Sequence, residues 1–344
     1  MTMLLKFGHY SSNLVLFAFG TVILLTNAYI YLMRGNKMTT FLTEKNIPKF
    51  KVAEKEKITL GIKTPGKEKR LPGFIIAGFM KCGTQALATF LSYHPKLKRA
   101  GETPEVHFFD RIAKLDKSVS YVDLMPEIYP WEISFEKTPS YADIVNLSTI
   151  YNTIPGVKIL LQVCDPVERT MSAFLHAQEN THKGFMVSKN ATLESVVLGI
   201  NGQVDETCHL IRHGVYVNYI QNFLKYFPRD RILITDMMNL KLNPAKTLHR
   251  VERFLNISPY FKEKQFYFNP MLNTSCIHTD ISNATPIKKS YVECMGTLGT
   301  NKHRLHLVMR PETKEKLQKY FAPFNEKLKK LISELNSELN FTWN

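Results

Sequence analysis

Residues 74–91, FIIAGFMKCGTQALATFL, set an apolar run, a glycine-bearing turn and a helical repeat in direct succession. Phe74 to Ala77 suffice for one buried strand, and Ala86, Leu87, Phe90 and Leu91 recur at helical spacing. The turn between them, Gly78 to Thr84, therefore joins a strand to a helix. Such a unit aims free backbone N–H groups and the positive end of a helix dipole at one point, a geometry that suits a phosphate. Lys81 adds a mobile cation, and Thr84 a hydroxyl near the helix start. The loop is not that of the nucleoside triphosphatases, which need Gly, Lys and Ser/Thr in succession; here Lys81 precedes Gly83 by two positions.

Downstream, apolar strands alternate with amphipathic helices. Lys158–Val163 reads as a second core strand, and Pro166 stands where a first helical turn tolerates proline. Val215, Tyr219, Phe223 and Phe227 form a helical stripe, followed by a short strand at Ile232–Ile234. Asn243-Pro244 reads as a cap and first turn, with Leu248, Val251 and Leu255 on one face. Leu317, Phe321, Phe324, Leu328, Leu331 and Leu335 step by four and three, a helix for packing on the sheet. The alternation predicts an α/β domain with a central, mainly parallel sheet flanked by helices.

Glu105, His107 and Asp110 stand in EVHFFD, interleaved with Val106, Phe108 and Phe109. In an extended segment the alternation places Glu105 and His107 on one face. A carboxylate and an imidazole side by side near a phosphate cradle make a candidate proton-transfer site. Lys137, beside Pro139, is a further candidate cation. The five cysteines, Cys82, Cys164, Cys208, Cys276 and Cys294, show no metal-ligand spacing, so no metal is predicted, and an odd count leaves at least one free.

The 344 residues carry 45 Lys and Arg against 30 Asp and Glu, a formal charge of +15, which favours a polyanionic partner. Residues 13–33 are uncharged over a span close to the roughly 20 residues a bilayer needs. They read as a transmembrane signal anchor behind a cytoplasmic tail, 1–12. Flanking charge leaves the orientation open, with Lys6 on one side and Arg34 and Lys37 on the other. Six Asn-x-Ser/Thr sequons, at Asn146, Asn190, Asn256, Asn273, Asn283 and Asn340, all follow the segment and favour a luminal body. Residues 38–70, rich in Lys, Glu and Thr, read as a stem, and 71–344 as the catalytic domain. An anchor and luminal sequons sit badly with nucleic acid as the partner.

Taken in order, KCGT with its strand and helix, His94-Pro95, EVHFFD, EKTPSY, DPVER with Ser172, FYFN, a late cysteine pair and FAPFNEKL before Trp343 resemble one family. It is that of the Golgi sulfotransferases using 3′-phosphoadenosine 5′-phosphosulfate (PAPS), and within it the heparan sulfate glucosamine 3-O-sulfotransferases. The resemblance spans residues 71–344. It implies a Golgi membrane protein of type II that sulfates an anionic glycosaminoglycan. Glu105 would be the general base, supported by His107 and Asp110. Lys81 would neutralise the bridging oxygen of the donor, and Lys137 would stand near acceptor and sulfonate. The backbone at Cys82, Gly83, Thr84 and Gln85 would hold the 5′-phosphate, and Ser172 the 3′-phosphate. A Cys276–Cys294 disulfide is implied, with Cys82 left as a thiol.

Two departures mark a divergent member. Cys164 stands where the family has a 3′-phosphate arginine, and a thiol supplies neither its charge nor its fork. After Cys294 the usual basic run is replaced by a longer one, in which Lys302 and Arg304 are the candidates for the donor. Tyr267 could stack on adenine or serve the core. Other glycosaminoglycan sulfotransferases, N- or chondroitin-directed, remain alternatives, as does a tethered glycan-binding protein that lost donor affinity.

Overall fold

The computed structural model describes residues 65–101, 104–111, 118–180, 187–280, 290–294, 308–335, 339, 341 and 343. The anchor 13–33, most of the stem, Asn283, Lys302, Arg304 and Asn340 lie outside the described residues. Strand β1 (Glu68–Lys69) precedes β2 (Phe74–Gly78), α1 (Thr84–Ser92), β3 (Leu97–Arg99), β4 (Glu127–Ile128) and β5 (Ile133–Lys137). Then come α2 (Tyr141–Ile144), α3 (Leu147–Thr153), β6 (Lys158–Val163) and α4 (Pro166–Glu179). Short helices α5 (Leu193–Val197) and α6 (His209–Arg212) lead to α7 (Tyr216–Tyr226) and β7 (Ile232–Asp236). The chain continues through α8 (Met237–Leu242), α9 (Pro244–Leu255), β8 (Phe266–Asn269), β9 (Thr274–Asp280), β10 (Ser290–Cys294) and α10 (Pro311–Glu334).

Five strands make a wholly parallel sheet in the order β3-β5-β2-β6-β7. β2 lies in the middle, and its side chains alternate between two cores because successive residues of a strand face opposite ways. Ile75 and Ala77 join one core with Phe174 of α4, Ile220 and Phe223 of α7, and Leu317 and Phe321 of α10. Phe74 and Ile76 join the other with Leu87 and Phe90 of α1 and Leu248 and Val251 of α9. After β2 the chain winds first toward β3 and β5, then back to β6 and β7. That reversal opens a crevice at the carboxyl ends of the strands, where open α/β sheets bind ligands.

The strands at 74, 158 and 232 and the helices after Pro166 and Pro244 form where expected. Asn243 precedes α9 but makes no side-chain cap, leaving Pro244 to start the helix. α10 packs on α7 and α4 through Leu317, Phe321 and Leu328. Beyond the main sheet, β8, β9 and β10 form an antiparallel one, in which Cys276 and Cys294 face each other and are disulfide-bonded. Tyr267 packs there on His278 at 4.7 Å between ring centroids, a neighbour across β8 and β9.

Candidate active site

Lys81 to Gln85 follow the carboxyl end of β2, Glu105, His107 and Asp110 follow β3, and Lys137 ends β5. The loop after β2 is unusual in its backbone: Lys81 and Gly83 both take left-handed conformations, φ 70° and 73°. The two flank Cys82, whose N–H donates to Phe79 O at 3.1 Å, and this turn opens into the first turn of α1 at Thr84 and Gln85, where N–H groups lack helical partners and suit an anion. The loop is held from the β6 side. Phe79 N donates to Gln162 O at 3.0 Å, and Gln162 Nε2 donates to Cys82 O at 2.7 Å. Buried Arg169 donates from Nε to Met80 O at 3.2 Å, which makes it a structural arginine.

A side chain at Gly83 would meet Met237 Cγ at 2.9 Å and Gln162 Nε2 at 3.2 Å. Gly83→Ala therefore suffers a left-handed φ, worth about 1–2 kcal/mol for an L-residue, and a close contact against a loop support. With 3′-phosphoadenosine 5′-phosphate (PAP) as the probe anion, the variant is expected to bind at least about tenfold more weakly, in line with a penalty of that size. Calorimetric titration checks this; wild-type affinity would show that the loop does not hold the ligand.

At the end of β5 and in the segment after β3, four charged side chains are linked in a row. Lys137 Nζ donates to Glu105 Oε1 at 2.6 Å; His107 Nε2 lies 3.1 Å from Glu105 Oε2; and His107 Nδ1 lies 2.8 Å from Asp110 Oδ2. Ser140 Oγ donates to the same Asp110 oxygen at 2.6 Å. Glu105 and His107 do meet, although the segment is an irregular loop rather than an extended strand, with His107 at φ 56°. The loop takes its shape from the residues just past the end of β5. Thr138 Oγ1 accepts from Val106 N and His107 N, and the Tyr141 hydroxyl accepts from Phe108 N and Phe109 N. Beneath them Glu136, fully buried, accepts from the hydroxyls of Thr138 and Tyr121, both at 2.6 Å. Burial pushes the Glu136 carboxyl up to about 7, against the pull of those hydroxyls.

The row is strongly polarised. Burial alone would raise the Glu105 carboxyl; hydrogen bonding to His107 and the charge of Lys137 outweigh it and hold it at about 2. His107 is raised to about 9, first by its hydrogen bond to Asp110 and then by that to Glu105. It is therefore an imidazolium at neutral pH, donating to both carboxylates. Burial lowers Lys137, which is 3% exposed, with Glu105 pulling the other way. An ionised carboxylate is thus held between two cations.

Sequence reasoning missed Arg99, at the end of β3. Its Nη2 donates to Pro104 O, just before Glu105, at 2.6 Å and to Gln85 Oε1 in α1 at 3.1 Å. It ties the Glu105 loop to the start of α1, and nothing in the surrounding sequence marks it. Ser172 lies half-buried in the second turn of α4, as the spacing predicts.

One expectation is overturned. Cys82 is not a thiol: it is disulfide-bonded to Cys164, with Cα atoms 5.2 Å apart. The reason is topological. β2 and β6 are adjacent parallel strands, so residues just past their ends come within disulfide reach, across 82 positions of sequence. Cys164 thus stands in the arginine's place as half of a cystine. Cys208 is the free cysteine.

Comparison with known proteins agrees with this architecture. A human protein named heparan sulfate glucosamine 3-O-sulfotransferase 5 is 31% identical over 264 residues, 75% of this chain and 71% of its own. The human heparan sulfate glucosamine 3-O-sulfotransferase 3A1 is 31% identical over 278 residues, covering 80% of this chain and 64% of the relative. A sulfotransferase structure from Alicyclobacillus acidocaldarius superposes with a TM-score of 0.53 at 17% identity, over 78% of this chain and 98% of that one, and shares the fold. Residues 71–332 match the sulfotransferase domain, and the chain belongs to that family of enzymes.

Proposed function

We propose that the protein transfers a sulfuryl group from PAPS to a glycosaminoglycan sugar, by 3-O-sulfation of glucosamine in heparan sulfate. The observation that carries the reading is Glu105, held at 2.6 Å by Lys137 and at 3.1 Å by His107, in a segment that Arg99 ties to Gln85 at the start of α1. The names of the similar proteins support the acceptor class. The residues fit the donor: the loop offers a nest that a side chain at Gly83 would crowd, at the start of a nine-residue helix.

In-line transfer breaks the bond from sulfur to the phosphate oxygen and forms one to the sugar oxygen. The hydroxyl proton passes to Glu105, and Lys81 offsets the charge left on the departing phosphate. Held near 2, Glu105 is a weak base while Lys137 grips it. A sulfonate drawing Lys137 toward itself raises the carboxylate's basicity as transfer begins. Ser172 and, on the late loop, Lys302 or Arg304 would serve the 3′-phosphate. The test is labelled sulfate transfer from PAPS by the full-length protein to a panel of desulfated glycosaminoglycans. Label at glucosamine O3 of heparan sulfate is expected; label on another polymer or position would overturn the acceptor. Cys164 in place of an arginine favours the second reading, a glycan-binding protein without turnover, which binding without transfer would establish.

We further propose a type II Golgi protein with tail 1–12, anchor 13–33, stem 38–70 and luminal domain 71–344, the end of the stem being joined to the domain where β1 pairs with β4. Its support is the uncharged segment and the sequons, of which Asn146, Asn190, Asn256 and Asn273 are all exposed. Expressed in animal cells, the protein is expected to lose mass on N-glycan removal. No loss, with protease access to the C-terminus in sealed microsomes, would overturn the orientation.

A further inference from the structure

We propose that the Cys82–Cys164 cystine is a positioning element of the donor site, so that donor affinity depends on its oxidation state; this rests on the donor reading above. Cys82 lies between Lys81 and Gly83, the two left-handed residues of the loop, and its own N–H is spent on Phe79 O at 3.1 Å, so it shapes the nest without donating to a ligand. Glycine adopts that conformation freely and lysine does not, so Lys81 must be held in it by attachments of the loop. Those attachments lead to one structural unit. Gln162 on β6 binds Phe79 and Cys82, and its Oε1 accepts from Thr235 on β7 at 3.3 Å; Arg169 on α4 binds Met80. The cystine adds a covalent tie from the middle of the nest to Cys164, at the junction of β6 and α4.

Both sulfurs are buried, and the Tyr216 hydroxyl lies 3.2 Å from the sulfur of Cys82 and 3.5 Å from that of Cys164. Tyr216 packs in turn on Phe79 of the same loop, at 4.8 Å between centroids. A cystine carries no charge, so its contribution to binding an anion is geometric: it keeps the N–H groups converged before the ligand arrives. Opening it lets Lys81 return to an ordinary backbone conformation and disperses them.

The experiment compares wild type with Cys82→Ser/Cys164→Ser, full-length, in native and dithiol-treated forms. The dithiol gives two electrons to the cystine, which takes up two protons to become two thiols, while the reductant closes to its own disulfide. PAP and heparan sulfate affinities are measured by titration, with circular dichroism as the check on folding. Expected are native Cys82 and Cys164 resistant to alkylation, and PAP binding weakened about tenfold or more in the serine variant, the range in which a lost contact of ordinary strength is read. Glycan binding should persist, and the dithiol should bring wild type to the level of the equally treated variant, in which the Cys276–Cys294 disulfide is opened as well. Should the serine variant not fold, Cys276→Ser/Cys294→Ser held with and without dithiol below its unfolding midpoint isolates the Cys82–Cys164 bridge. Native alkylation of both cysteines, or a folded variant or reduced wild type with undiminished PAP affinity, would overturn the clamp alone. Native protein that binds no PAP would overturn the donor reading and the clamp with it.

Discussion

Glu105→Gln is expected to lower turnover about a hundred- to ten-thousand-fold while PAP and glycan binding stay near wild type. The amide keeps the size of the side chain and can still accept from Lys137, but it cannot take the acceptor's proton. It also removes the negative charge between two cations. Lys137, buried and already lowered by desolvation, loses its counter-charge. His107, raised to about 9 in part by Glu105, is expected to titrate lower, with Asp110 still supporting it. Single-turnover kinetics with saturating donor measure the first effect and histidine NMR the second. A variant retaining most of its turnover would remove Glu105 from the role of base.

Lys137→Met should lower turnover about a hundred- to a thousandfold, the range seen when one preorganised donor to developing charge is removed. Its second signature is in pH. Glu105 is depressed in the folded protein, so its ionised form contributes stability above the unfolded carboxylate range, lost as pH falls through about 2. Without the lysine the carboxyl moves up toward its ordinary value, His107 alone holding it down. The acid limb of kcat/KM should therefore shift to higher pH in the variant. Wild-type turnover, or a limb that does not move, would separate Lys137 from the chemistry. The two variants need not be additive, because they remove opposite ends of one ion pair at 2.6 Å.

Much of this site is local chemistry that a linear reading can reach. Strand, nest and helix at 74–91 are contiguous, and Glu105, His107 and Asp110 fall within six residues of each other. β5 is harder to read, because Ser134, Glu136 and Lys137 are buried in it and spoil the apolar run that marks a central strand. Those polar residues are tolerated there because Glu136 is answered by Tyr121 and Thr138, and Lys137 by Glu105. Periodicity fails at such a strand because its side chains were not chosen for packing alone.

The parallel α/β architecture, the glycine-bearing loop between β2 and α1 and the carboxylate–imidazole pair are legible in the chain alone, since each rests on a hydrophobic period or on residues close in the chain. Which groups meet across distance depends on the folded path. The return of the chain past β2 brings Lys137 onto Glu105, Arg99 between Gln85 and Pro104, and Cys164 onto Cys82. The ionisation of the site results from those meetings. A carboxyl at about 2 beside an imidazole at about 9 reflects burial and partners from separate elements, and neither is written in the residue types themselves.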